Sequence, residues 1–99
     1  RVQVDVVAIN WKTHGILLGE CKRGTERVDR QVVRELIETK TPLVIKDLPS
    51  EGAGWQVYYA FFARSGFTPA AIEMLQKVGG FAVDLNDLDA VLGHGDSHP

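Results

Sequence analysis

An α/β domain built on a mixed sheet flanked by helices is the fold class this sequence predicts, and three observations predict it. Two short segments near the start, residues 2–9 and 16–22, are rich in Val, Ile and Leu, the first with alternating apolar residues, and turn chemistry joins them, as in an antiparallel hairpin. A continuous apolar and aromatic run, residues 55–63, has the composition of a central strand buried on both faces. Helical stripes with capping residues lie between and after these runs. The predicted order is strand, strand, helix, strand, helix, strand, helix (ββαβαβα), and a hairpin feeding βαβ units puts helices on both faces of the sheet.

Each element has its own justification. Asn10 to Gly15 supplies the turn of the hairpin, longer than the favoured two residues, so its type stays open. Arg23 to Glu26 is a polar loop. The first helix runs from about Asp29 to Lys40, with Val28, Val32, Leu36 and Val33, Ile37 as its apolar stripe, Asp29 as its cap and Pro42 stopping it soon after Lys40. Leu43 to Leu48 fits either another helical turn or a short extended piece. Thr68-Pro69 opens the next helix, whose stripe is Ile72 and Leu75 with Met74 and Val78, and Gly79-Gly80 ends it. Phe81 to Leu85 is a last strand, and Asn86 caps a short helix, Asp87 to Leu92.

The chain has 99 residues, 44% hydrophobic and 24% charged, which fits one small globular domain over residues 1–92. The tail, residues 93–99, lacks apolar periodicity and reads as disordered. No apolar run approaches the roughly 20 residues of a membrane span, and no signal peptide is visible. The single cysteine, Cys21, forms no internal disulfide and fits a reducing cytoplasm. A strand pattern at the first residue and the lack of an initiator Met suggest a domain cut from a longer protein. Net charge is -2, but nine of the eleven basic side chains lie in residues 1–46. One end of the molecule thus has the means to face a polyanion, although Glu26, Asp29, Glu35 and Glu38 interleave with those bases, and a solvated helix face accounts for the charge by itself.

The chemistry-bearing pattern is Glu20-Cys21-Lys22 at the end of the second strand. Alternation puts Glu20 and Lys22 on one face and Cys21 on the other. Asp5 stands on the partner strand, within reach of Glu20 if the hairpin pairs as expected. Two converging carboxylates suit a hard divalent cation such as Mg²⁺ or Mn²⁺. An ammonium beside them suits phosphodiester hydrolysis, where it stabilises charge that develops on the phosphate. An isolated acid-x-Lys is a weak signal, and a surface ion pair explains it equally well. Its position on a hairpin, with Asp5 fifteen residues upstream and a basic helix following, makes it more specific.

The stretch Val4-Asp5-Val6-Val7-Ala8 through Leu18-Gly19-Glu20-Cys21-Lys22, with Tyr58 to Phe67 and Val83-Asp84-Leu85, resembles the PD-(D/E)XK superfamily, the restriction-endonuclease-like fold. Within it the likeness is to the Mrr-type branch, and to the nuclease-like domain at the C-terminus of archaeal and bacterial AAA-type ATPases. The resemblance spans most of residues 2–92. It implies Asp5 and Glu20 as metal ligands, Lys22 as the catalytic lysine, DNA as substrate, an ATPase domain in the same full-length chain, and dimerisation as found in many such nucleases. It also implies an accessory Gln on the following helix, for which Gln31 is the candidate. Two departures stand out: Gln3 where relatives often have Glu, and no N-terminal helix with a further acid before the first strand. A second reading is therefore a nuclease-fold module with a weakened site, used for DNA binding or protein interaction.

Other residues have simpler explanations. Cys21 is expected to pack, His14 to sit in the turn, and Trp55, Tyr58, Tyr59, Phe61 and Phe62 to build core rather than stack on bases. His94, Asp96 and His98 form a loose cluster in the tail. The Ser65-Gly66 amides lack the spacing of a phosphate-binding loop. Arg23, Arg27, Arg30 and Arg34 are candidates for contacts to a DNA backbone.

Overall fold

The computed structural model describes residues 3–48 and 54–86. Strand β1 (Val6–Asn10) pairs antiparallel with β2 (Gly15–Lys22), in the register Val6↔Gly19 to Asn10↔Gly15. The hairpin is thus as expected, but β1 starts later than residue 2 because the chain bends at Asp5. Asn10 makes the turn: its Oδ1 accepts from the amides of Lys12 (3.0 Å) and Thr13 (3.2 Å), a side-chain mimic of a backbone turn. His14 completes it with a left-handed φ of 55°.

Helix α1 (Arg30–Arg34) begins where Asp29, in extended conformation, accepts from the Val32 amide through Oδ1 at 3.1 Å. It runs into a π-helical segment (Glu35–Lys40) and then α2 (Thr41–Lys46) without leaving helical backbone angles. The expected stop at Pro42 is therefore overturned, and Leu43 onward is helical. The reason lies in position: Pro42 falls in the first turn of α2, where a fixed φ and a missing N–H are tolerated.

Strand β3 (Gln56–Ala63) lies parallel to β2, and β4 (Phe81–Asp84) parallel to β3, giving the sheet order β1-β2-β3-β4. Between them α3 (Pro69–Lys77) is capped by Thr68, whose hydroxyl accepts from the Ala71 amide at 3.2 Å. It ends at Gly79 (φ 66°), after which the Gly80 amide donates to the Leu75 carbonyl at 2.8 Å. A Cβ on Gly80 would stand 2.8 Å from Leu75 Cδ2, so only glycine lets the chain pass that close to α3. The strand after it is one residue shorter than expected.

The pairing registers divide the sheet cleanly. Ile16, Leu18, Glu20 and Lys22 share a face with Tyr59, Phe61 and Ala63. Against that face pack Val33, Leu36, Ala71 and Leu75, so the described helices all lie on one side. The expectation of helices on both faces is thus met on this face alone among the described residues. On the other side Tyr58 is 48% exposed, so β3 is not buried on both faces along its length. The helix Asp87 to Leu92 and the tail 93–99 lie outside the described residues. Phe61, Ile16, Leu18 and Leu36 are fully buried, each contributing about 1.5–3 kcal/mol of hydrophobic stabilisation. No helix among the described residues is long and apolar enough to cross a membrane.

Candidate active site

Because β2, β3 and β4 run parallel, their carboxyl ends, Lys22, Ala63 and Asp84, line one edge of the sheet. In open α/β sheets that edge is where ligands bind, since the chain leaves it in loops rather than in further ladder. Antiparallel β1 brings its opposite end, and with it Asp5, to the same edge.

Glu20 is the polar exception in the apolar face. It is 3% exposed, between Leu18 and Lys22 along the strand and beside Phe61 across it. A buried carboxylate is costly unless paired. Here Lys22 Nζ stands 3.0 Å from Oε1, as same-face alternation requires, and Lys40 Nζ stands 2.9 Å from Oε2. The carboxylate is thus held between two ammonium groups, one partly solvated (Lys22, 41% exposed) and one more enclosed (Lys40, 20%).

Asp5 reaches the same place by another route. The β1–β2 ladder ends at Val6↔Gly19, which leaves the Cys21 amide without a strand acceptor on that side. The Asp5 carboxylate supplies one: Oδ2 accepts from Cys21 N–H at 2.8 Å. Its charge therefore lies against the peptide group between Glu20 and Cys21. Cys21 itself is a free, half-buried thiol on the opposite face from Glu20. Asp84 ends β4 at this edge and accepts from the Asn86 amide through Oδ1 at 2.8 Å.

The loops beyond the edge are tied together. Val28 bridges to Phe67, its amide donating to the Gly66 carbonyl and its carbonyl accepting from the Thr68 amide, both at 2.9 Å. Ser65 Oγ donates to the Gly24 carbonyl at 2.7 Å. Gly66, at φ 82°, would carry a Cβ 3.3 Å from Asp84 Oδ2, so its backbone is seated against that carboxylate. The Ser65 hydroxyl and the Gly66 carbonyl are thus engaged in joining the two loops. A cleft of about 420 Å³ opens beside Lys22, lined by Gly24, Thr25, Glu26, Arg27, Val28 and Val32.

Of the predicted site residues, Glu20 and Lys22 pair directly, and Asp5 meets the same strand at the Cys21 amide. Arg23, Arg27, Arg30 and Arg34 are all exposed, Arg23 and Arg27 in the loop at the cleft, Arg30 and Arg34 on α1. Gln31 is not brought to Glu20; it is exposed and lines a shallow groove with Arg34, Glu35, Glu38 and Thr39. The helix instead contributes Lys40, a residue outside the predicted site. The signal was present: Val33, Leu36, Ile37 and Lys40 follow i, i+3, i+4, i+7, so a lysine stood on the apolar stripe, where its ammonium needs either a counter-ion or a path to water. The aromatic residues divide. Tyr59 and Phe61 build core, and Trp55 packs against it while stacking on His14 (5.0 Å) and meeting Trp11 edge-on (5.6 Å) at the other end of the sheet; Tyr58 is exposed. The tail residues His94, Asp96 and His98 lie outside the described residues.

The donor chemistry fits a hard divalent cation in kind. Asp5 and Glu20 offer oxygen ligands, a carboxylate oxygen has more than one lone pair to share, and Mg²⁺ is commonly held by one or two carboxylates with waters and substrate phosphate. Among the described residues there is no group of three or more His, Cys, Asp or Glu side chains placed to hold a metal ion by themselves. Compared with protein-family models, curated proteins and solved structures, the chain matches none.

Proposed function

We propose that this chain is a divalent-cation-dependent nuclease domain of the PD-(D/E)XK type, hydrolysing DNA phosphodiester bonds. The observation that carries the reading is the buried Glu20 with Lys22 Nζ 3.0 Å away on the same strand face, at the carboxyl edge of three parallel strands, with the Asp5 carboxylate against the adjoining peptide. Asp5 and Glu20 would hold Mg²⁺ or Mn²⁺, which when bound polarises a phosphate oxygen and acidifies a water. The chain's own residues do the rest. Lys22, with two-fifths of its side chain open to solvent beside the cleft, keeps a positive charge where the phosphate gains negative charge during attack. Arg27 lines that cleft and Arg23 is exposed in the same loop, both available to hold the DNA backbone, and Arg30 and Arg34 extend the basic surface along α1.

A specific observation favours a second reading. Both oxygens of Glu20 are already paired to lysines, and Asp5 is engaged with a backbone amide. Such a site suits a nuclease fold that binds DNA or a protein without cutting, as an appendage of an ATPase or as a homodimer. Incubation of the 99-residue chain with supercoiled plasmid and with branched DNA, in Mg²⁺ or Mn²⁺, separates the two. The nuclease reading expects cleavage that Lys22→Ala, Asp5→Ala and Glu20→Ala each abolish. DNA retained in a gel shift with no cleavage under either cation would sink it and leave the binding module.

A further inference from the structure

The helical segment after β2 is not required to bring Lys22 to Glu20; what it delivers is a second ammonium. Lys40 is the last residue of the π-helical segment Glu35–Lys40. That segment is fixed by its neighbour: the Thr41 amide and the Thr41 hydroxyl both donate to the Leu36 carbonyl, the hydroxyl at 2.6 Å. Thr41 is itself buried, 6% exposed. A π turn has poorer geometry than an α turn and occurs chiefly as a local insertion. Here the insertion ends in Lys40, the one helix residue among those described that reaches the buried carboxylate, at 2.9 Å from Oε2.

We propose that Lys40 is a positioning residue that holds Glu20 in the cation-free protein and competes with a divalent cation for it. The proposal rests on the reading of Asp5 and Glu20 as cation ligands. Without a cation, a carboxylate this buried needs its full complement of positive charge, and Lys22 alone, being two-fifths exposed, supplies it weakly. A cation held by the Glu20 carboxylate would be brought close to the Lys40 ammonium, which stands 2.9 Å from Oε2. The two like charges repel, so cation affinity is reduced by the work of moving Lys40 aside.

The consequence is a pair of effects of opposite sign. Neutralising Lys40 should weaken the fold and tighten the cation, whereas a lysine with a purely structural role would weaken both when lost. The experiment titrates Mn²⁺ into the full chain, following free Mn²⁺ by electron paramagnetic resonance, with urea unfolding alongside. Lys40→Met and Lys40→Gln should bind Mn²⁺ about tenfold or more tightly than wild type, and Lys40→Arg within about twofold of it. Lys40→Gln keeps an amide donor toward Glu20, so the comparison stands even if the Met variant does not fold. Mn²⁺ binding by the neutral variants alone would be the strongest form of the expected result. Equal or weaker binding than a wild type that binds would overturn the role of Lys40 and leave the cation site. No binding by any of these proteins would overturn the cation site and the proposal together.

Discussion

The two lysines on Glu20 are not equivalent, and their difference can be worked out from geometry. Lys22 and Lys40 stand at nearly the same distance from it, 3.0 and 2.9 Å, so distance does not rank them. Solvent does: Lys22 is 41% exposed and Lys40 20%. An exposed ion pair contributes about 0–1 kcal/mol, because water screens it and the side chain loses rotamer freedom. Removing one partner of a fully buried pair costs about 3–5 kcal/mol. Lys22 belongs near the first limit, and Lys40 between the two, at about 2 kcal/mol. Lys40→Met should therefore destabilise the chain by about 1 kcal/mol or more beyond Lys22→Met, although Lys22 is the strand neighbour. Urea unfolding in cation-free buffer measures both, with a Glu20→Gln background closing each double-mutant cycle. Coupling of Glu20 to Lys22 equal to or larger than its coupling to Lys40 would refute the ranking by enclosure.

Other changes test neighbouring parts of the site. Asp5→Asn keeps an acceptor for the Cys21 amide and removes the charge, so unfolding should shift by less than about 0.5 kcal/mol while Mn²⁺ affinity falls sharply in the titration. Thr41→Val deletes the buried hydroxyl bond to the Leu36 carbonyl and should cost about 1 kcal/mol in urea unfolding. Alanine at Arg23 and Arg27 together should weaken DNA binding and lower the slope of log affinity against log salt by up to about two, measured by fluorescence anisotropy.

The parts of this fold that were legible in the sequence are those fixed by local chemistry. Asp29 and Thr68 cap their helices as short acceptors at extended positions, and same-face alternation fixes Glu20 beside Lys22 whatever the rest of the chain does. What was not legible depends on distant packing. Pro42 read as a stop because proline breaks an α-helix interior, yet a π segment before it moves Pro42 into a first turn. That segment is held by a Thr41–Leu36 bond five residues apart, which no local propensity rule captures. The aromatic run 55–63 read as doubly buried from composition alone, but which sheet face the helices cover is decided by the crossover, and both took the Phe61 side. Gln31 and Lys40 show the same difference within one helix. Gln31, a candidate only through the family resemblance, faces solvent; Lys40 lies on the apolar stripe and pairs with the buried acid.

Stability does not explain why an ionised cluster occupies the apolar face of the sheet. Taking Glu20 and Lys40 out of water costs several kcal/mol per ion, which their attraction offsets only in part, and apolar side chains of similar volume would fill the same space without that cost. The site is bordered by Leu18 and Phe61, so it would accept such a replacement. The double variant Glu20→Leu/Lys40→Met should thus unfold at the same or higher urea concentration than wild type, although Lys40→Met alone weakens the fold; Lys22, already partly solvated, turns outward. The same double variant should bind no Mn²⁺ and cut no DNA. If instead it is less stable than either single variant, the cluster is structural support, and the argument that Glu20 is kept ionised for chemistry loses its physical basis.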